Sequence, residues 1–243
     1  MKKIAIELFG QLRMWDSQNI LDLKEYLNSK DIAVDIFGTF WDDEYTNRTL
    51  DLSSNIFKKL QLLEEPERDT ADLFKYFYSL SNSIKQRKIY QTKHNINYDF
   101  IIHSRNDLEF TMRHNADELL NNLFDLLNNN KNHPSIFICN EPRSSEDNID
   151  DKIFIGNNLG SDNLENSFDK LKSYDKFRYH TSLWHAIKLC NCFLFRVPLF
   201  FWFNILRTKF FQEYNFKPKD HHEEAYLKSI QDTSLLKDKI SNL

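Results

Sequence analysis

Short apolar runs of strand-forming residues recur along this chain, and most give way to a segment whose apolar residues fall three and four apart. That alternation narrows the fold more than any other feature. Residues 3–9 (KIAIELF), 33–40 (AVDIFGTF), the stretch 98–110 (YDFIIHSRNDLEF), 135–139 (SIFIC) and 152–155 (KIFI) read as strands. Ile20, Leu21, Leu23 and Leu27 predict a helix from Asp16 or Ser17 to about residue 28. Leu73, Tyr76, Phe77, Leu80, Ile84 and Tyr90 predict a longer one, from Asp69 or Thr70 to about residue 94. Further helices are expected over 115–127, 163–171, 179–211 and 221–227. Strands that alternate with helices bury both sheet faces when they run mostly parallel under crossover helices. The expected fold class is therefore α/β, a Rossmann-type, mostly parallel central sheet flanked by helices. The chain is read as a single domain over 1–243 whose portion from about residue 163 is helical.

Composition sets the function classes aside that need an extreme. A formal charge of -4 supplies no global attraction to nucleic acid or acidic lipid. With 41% hydrophobic residues and 21 phenylalanines the chain can fill a core, and 4 glycines and 5 prolines do not suit a disordered or fibrous protein. Cys139, Cys190 and Cys192 have no metal-ligand spacing and are expected to be reduced, buried thiols of a cytoplasmic protein. The N-terminal MKKIAIELFG carries Glu7 inside its apolar run and has no small-residue cleavage site, so it reads as a first strand. The most apolar segment, FLFRVPLFFWFNIL at 193–206, is shorter than a membrane-spanning helix and is broken by Arg196 and Pro198. Two readings stand for it: a core helix, or a face resting on the inner surface of a membrane as a peripheral contact.

Ligands of doubly wound sheets sit beyond the carboxyl ends of the strands. Four polar clusters are expected there: Gly10-Gln11-Leu12-Arg13, residues 39–43 with Trp41, Ser104-Arg105-Asn106-Asp107, and Gly156-Asn157-Asn158. Glycine at position 10 permits a close backbone approach, and the planar fork of Arg13 suits a phosphate. Neither G-x-G-x-x-G nor a P-loop pattern is present, so the two commonest phosphate cradles are excluded.

These clusters, taken in order, resemble a family. FGQLR after the first strand is similar to the SGQLR opening of bacterial polysaccharide glycosyltransferases with a GT-A-like fold. YDFIIHSRNDLEF resembles their YD-x-(V/I)-I-R-x-R-x-D-L-x-F strand, DKIFIGN their D-x-F-x-x-G element, and PKDHHEEAYL their late PE-x-x-L helix start. The anchors run from Gly10 to Leu227. Three departures stand out: Phe9 in place of a small residue, His103 in place of the motif's first arginine, and His222 in place of the proline before the glutamate.

The resemblance implies transfer of a sugar from a nucleotide-sugar donor to a glycan or lipid-linked glycan acceptor in surface polysaccharide (lipopolysaccharide or capsule) biosynthesis, in the cytoplasm or at the inner face of the membrane. A departing nucleoside diphosphate gathers negative charge that an arginine or a divalent cation must offset. The implied donor-binding residues are Gly10, Gln11, Arg13, Trp41 and Arg105; Asp107, Glu223 and Glu224 are the catalytic candidates. Asp107 and His222 are the candidate ligands of a Mn2+ or Mg2+ ion, although Arg105-Asn106-Asp107 replaces the usual D-x-D. Two other classes stay open: a catalytically silent nucleotide-sugar or glycan binding module on the same fold, and a metal-dependent hydrolase built on HHEE at 221–224, which lacks H-E-x-x-H spacing.

Overall fold

The structure, a computed structural model, describes residues 1–12, 17–43, 46, 54–64, 72–139, 152–172 and 183–205. The chain divides into two compact units, Met1–Asn204 and Ile205–Leu243, and only Ile205 of the second is described. The expected helix at 221–227 lies outside the described residues.

A seven-stranded sheet is built from β1 (Lys2–Gly10), β2 (Ile32–Trp41), β3 (Lys59–Leu63), β4 (Phe100–Ser104), β6 (Ser135–Cys139), β7 (Ile153–Gly156) and β8 (Phe193–Val197). Its order is β3-β2-β1-β4-β7-β6-β8. β1 pairs in parallel with both β2 and β4, β2 with β3, and β6 with β8; β7 alone runs against its two neighbours. The expected mostly parallel sheet is therefore present. A second, two-stranded sheet joins β5 (Leu108–Met112) to β9 (Phe201–Ile205).

Helices cover both faces, as strands buried on both sides require. They are α1 (Ser17–Asn28), α2 (Asp72–His94), α3 (Ala116–Asn129), α4 (Asn158–Asn163), α5 (Ser167–Lys172) and α6 (Leu183–Leu189). Alternation along β4 sends Phe100 against Phe124 of α3 and Ile101 into the cluster formed by Ala5, Phe37 and Tyr98. On that second face Phe9 of β1 packs with Phe77, Leu80 and Ile84 of α2 and Phe154 of β7. Close approach of α4 to β6 depends on Gly160, where an added Cβ would lie 2.7 Å from Ser135 N and 2.8 Å from its carbonyl carbon. Main chain cannot swing aside as a side-chain tip can, so Gly160→Ala should cost about 1–3 kcal/mol. A urea melt would show it, and an unchanged midpoint would mean that α4 lifts freely off the sheet.

Four expectations need correction. YDFIIHSRNDLEF is not one strand: β4 ends at Ser104, β5 begins at Leu108 in the other sheet, and Arg105–Asp107 make the turn between them. The run at 193–206 is not a helix but β8 and β9, separated by Pro198. Of the helices expected over 179–211, the described residues contain only α6. A run apolar on every side carries no period to distinguish strand from helix, and its aromatic richness and proline favoured strands. Finally, because β7 is antiparallel, Gly156 pairs with Ile101 and Ile136, so Gly156-Asn157-Asn158 leaves the sheet at the end opposite to Gly10 and Ser104. There Asn157 caps α4 by accepting from Gly160 N at 2.7 Å and also accepts from Ser135 N at 3.1 Å.

Candidate active site

From β1 the sheet grows through β2 and β3 on one side and through β4 on the other, which makes the gap beyond β1 and β4 the topological switch point. Leu8 pairs with Ser104 and Gly10 with Phe40, so β1, β2 and β4 end side by side. Gly10-Gln11, Trp41 and Arg105–Asp107 therefore leave the same edge of the sheet. Gly10 has φ +99°, a backbone state that suits glycine, while a Cβ there would meet only Ser79 Oγ at 3.9 Å. The backbone turn, rather than space, is what requires glycine.

Two asparagines tie the loops of this edge together. Asn106 Nδ2 donates to the Gln11 carbonyl at 2.8 Å. Asn19, two residues into α1, receives the Phe110 amide at 2.7 Å and donates to the Leu108 carbonyl, so its amide substitutes for a neighbouring strand along β5. The segment after β1 thus grips β5, and the turn after β4 grips the segment after β1. Asn19 stood in none of the candidate clusters, and Asn106 stood in one without an assigned role. Their signal was slight: polar amides beside apolar neighbours, with nothing local to say what they bond.

Arg105 and Asp107 face each other. Arg105 Nε donates to Asp107 Oδ1 at 2.9 Å and Nη2 donates to Oδ2, a bidentate pair in which the carboxylate is buried and the guanidinium is about 30% exposed. Asp107 is the anchor and Arg105 the group that reaches the surface. Arg105 N also donates to the Lys152 carbonyl at 2.9 Å, so the start of β7 borders the turn. Trp41 is buried, stacked on Tyr78 of α2 with ring centroids 6.0 Å apart and planes 4° from parallel. Arg13, His222, Glu223 and Glu224 lie outside the described residues.

Beneath the edge lies a buried ionic network. Glu7 Oε1 accepts from Arg87 Nε at 2.6 Å, and Arg87 Nη2 donates to Asp162 Oδ1 at 2.8 Å. His103 Nδ1 lies 2.9 Å from Glu7 Oε2, close enough for charge pairing but off the line of a hydrogen bond, and its Nε2 is 2.7 Å from Ser161 Oγ. Glu7, Arg87 and His103 are wholly buried. Burial pushes the Glu7 carboxyl up, but the opposing charges of His103 and Arg87 outweigh it and hold it below its ordinary value. Glu7 and His103, which look like blemishes in two apolar strands, are direct partners across β1 and β4, and Arg87 of α2 holds the other oxygen of Glu7.

Among the described residues no group of three His, Cys, Asp or Glu side chains converges, and both Asp107 oxygens accept from Arg105. Those residues do not by themselves fit a Mn2+ or Mg2+ ion. Cys190 and Cys192 are free thiols, and burial pushes both up, Cys192 to about 12, which suits packing and not nucleophilic chemistry. Among the described residues no helix is long and apolar enough to cross a membrane.

No protein-family model and no curated protein matches the chain. Among solved structures it is similar to a glycosyltransferase involved in the glycosylation of the major capsid of PBCV-1, with 9% sequence identity and a TM-score of 0.48 over 81% of this chain and 83% of that one. It is also similar to the glycosyltransferase GlyE of Streptococcus pneumoniae TIGR4 in its apo form, with 10% identity and a TM-score of 0.35 over 78% of this chain and 42% of that one. A second GlyE structure gives 10% identity and a TM-score of 0.38, over 80% of this chain and 45% of that one.

Proposed function

We propose that this chain is a GT-A-like glycosyltransferase that moves a sugar from a nucleotide-sugar donor to a glycan or lipid-linked glycan acceptor in surface polysaccharide (lipopolysaccharide or capsule) biosynthesis. The observation that carries the reading is the hydrogen bond from Asn106 to the Gln11 carbonyl. It joins, across the switch point of the sheet, the two segments FGQLR and SRNDL that resemble the family's motifs.

In the reaction the acceptor oxygen bonds to the anomeric carbon and the bond from that carbon to the diphosphate breaks, its electron pair going to the phosphate oxygen. The backbone turn at Gly10-Gln11 and the guanidinium of Arg13 would seat the diphosphate. Arg105, fixed in plane by Asp107, would face the charge that develops on it. Asp107 thus works through Arg105 as a positioning residue. Glu223 or Glu224 would take the acceptor proton, and His222 beside them is the second candidate ligand should a divalent cation join the phosphate. Trp41, held on Tyr78, would contribute by walling the donor pocket at the end of β2.

The engagement of Asp107 by Arg105 also favours a second reading, a binding module without transfer, because the one carboxylate of a turn that carries no D-x-D is already held by a guanidinium. A thermal-shift screen of nucleotide sugars, with and without manganese, separates ligand from non-ligand, since a compound bound only by the native state raises the melting temperature. The donor found in this way is then incubated with oligosaccharide acceptors and the products are weighed by mass spectrometry. Transferase activity predicts a mass gain of one sugar. Binding without any gain is the result expected of a silent module.

Arg105→Ala is expected to lower kcat/KM by about 100-fold, the usual loss when one donor to a developing charge is removed. The melting temperature should fall as well, because the buried Asp107 carboxylate loses the donor to both its oxygens, so the kinetics are compared at a temperature where the variant is folded. A variant with unaltered kinetics would take Arg105 out of the site.

A further inference from the structure

The small sheet that begins one residue after Asp107 carries an aromatic platform of a different character from the core. Its inner face is apolar: Phe110 of β5 packs edge-on against Phe201 of β9, with centroids 5.4 Å apart, and Phe200 stacks on Tyr26 of α1. Its outer face holds Glu109, Thr111 and Arg113 along β5 and just beyond it, with Trp202 of β9 beside them. Trp202 is 52% exposed. The Arg113 guanidinium carbon lies 3.6 Å from the centroid of its ring, so one face of the indole is covered and the exposure belongs to the other face and the edges.

We infer that Trp202 is a sugar-stacking subsite, held flat by Arg113, for the part of a glycan acceptor that lies away from the transferred sugar; this rests on the glycosyltransferase reading above. The surroundings decide the occupant. Protein partners and lipid surfaces are recognised by contiguous apolar area, whereas among the described residues this ring lies against the Arg113 guanidinium, on the sheet face that also carries an acid, Glu109, and a hydroxyl, Thr111. A pyranose offers a matching surface: an apolar C–H face for the indole and equatorial hydroxyls for the polar rim. The arginine holds the ring in place before any ligand arrives, which lowers the ordering cost of binding. The sheet is also continuous with the candidate site. Arg113 lies six residues beyond Asp107, roughly 20 Å at the rise of a strand, so the platform would grip a sugar several units from the acceptor hydroxyl.

The test uses the full chain with its tryptophans replaced by 5-fluorotryptophan, the Trp202 fluorine signal being assigned by Trp202→Phe. Probes are neutral hexasaccharides of α-linked and β-linked glucose, β-linked N-acetylglucosamine, galactose and mannose, the matching disaccharides, and phosphatidylglycerol vesicles. The proposal predicts a saturable shift of the Trp202 signal with at least one hexasaccharide, a response to its disaccharide at least tenfold weaker, and on the order of tenfold loss of hexasaccharide affinity in Trp202→Ala. Arg113→Gln should weaken the same binding by a smaller factor. A Trp202 signal that ignores every oligosaccharide overturns the proposal, and one that moves only with vesicles overturns it in favour of a membrane face. The two readings fail separately. Transfer that proceeds on acceptors of every length, unaltered by Trp202→Ala, removes the subsite alone. Hexasaccharide binding at Trp202 without transfer from any nucleotide sugar removes the transferase reading and leaves the platform.

Discussion

Arg87→Met is expected to destabilise the fold by about 3–5 kcal/mol, the cost of removing one member of a buried ion pair and stranding the other. Arg87 is the only side chain that reaches both Glu7 of β1 and Asp162 of α4 among the described ion pairs. Methionine keeps much of its volume and none of its charge, so the loss is electrostatic and not a cavity. The pH dependence gives the sign. The Glu7 carboxyl titrates below its ordinary value of 4.5 in the folded chain. Its contribution to stability is therefore fully present above that value and disappears as pH falls through the lower, folded value. In Arg87→Met one of the two compensating charges is gone while His103 stays, so stability near neutral pH should drop and the acid-side loss should become shallower. Urea melts between pH 3 and 7 measure both. A difference under 1 kcal/mol at pH 7 would show that water or a rearranged His103 takes over the role of the arginine.

Asp107→Asn is expected to reduce kcat by about 100-fold while leaving the fold intact. The substitution hardly alters volume, but an amide cannot accept two parallel hydrogen bonds from a guanidinium, so Arg105 loses its fixed plane. A displacement near 1 Å at a charge-stabilising group is enough for a loss of this size. Donor KM should move much less, because an untethered arginine still attracts a phosphate. Near wild-type turnover would falsify the positioning role. Unfolding of the variant would reduce the pair to a device that closes the turn between β4 and β5.

Much of this fold is legible in the sequence. β1, β2 and β6 announce themselves as apolar runs, and α1 and α2 carry a clear helical stripe, because each buries a face whose period is written in its own residues. What was missed depends on partners far away in sequence. β3 is a short strand of lysine, leucine and glutamine, too mixed to read as a strand by itself. The direction of β7 is set by its neighbours, and nothing in KIFIG says that its glycine leaves the sheet at the wrong end for a ligand. The break after Ser104 was invisible because Leu108–Met112 continues the strand-like pattern in another sheet.

The site was legible in a similar, partial way. Gly10, Gln11 and Arg105–Asp107 were expected at one sheet edge, and they leave it together. That Arg105 and Asp107 lie close follows from the single residue between them, but their mutual pairing in the turn does not. Sequence can say that two charges are near; it cannot say whether they hold a ligand or each other. Asn19 and the Glu7–Arg87–His103 network were overlooked for the same reason, since each is defined by a contact between distant segments.

The central claim is that a nucleoside diphosphate binds where β1 and β4 end. Hydrogen-exchange mass spectrometry of the full chain, with and without the nucleoside diphosphate of the donor found by thermal shift, tests it most directly. Slower exchange is predicted in peptides covering residues 8–12 and 104–110, with none at 156–163 on the opposite end of the sheet. Protection confined to 156–163, or binding that leaves 8–12 and 104–110 unaltered, would contradict the account.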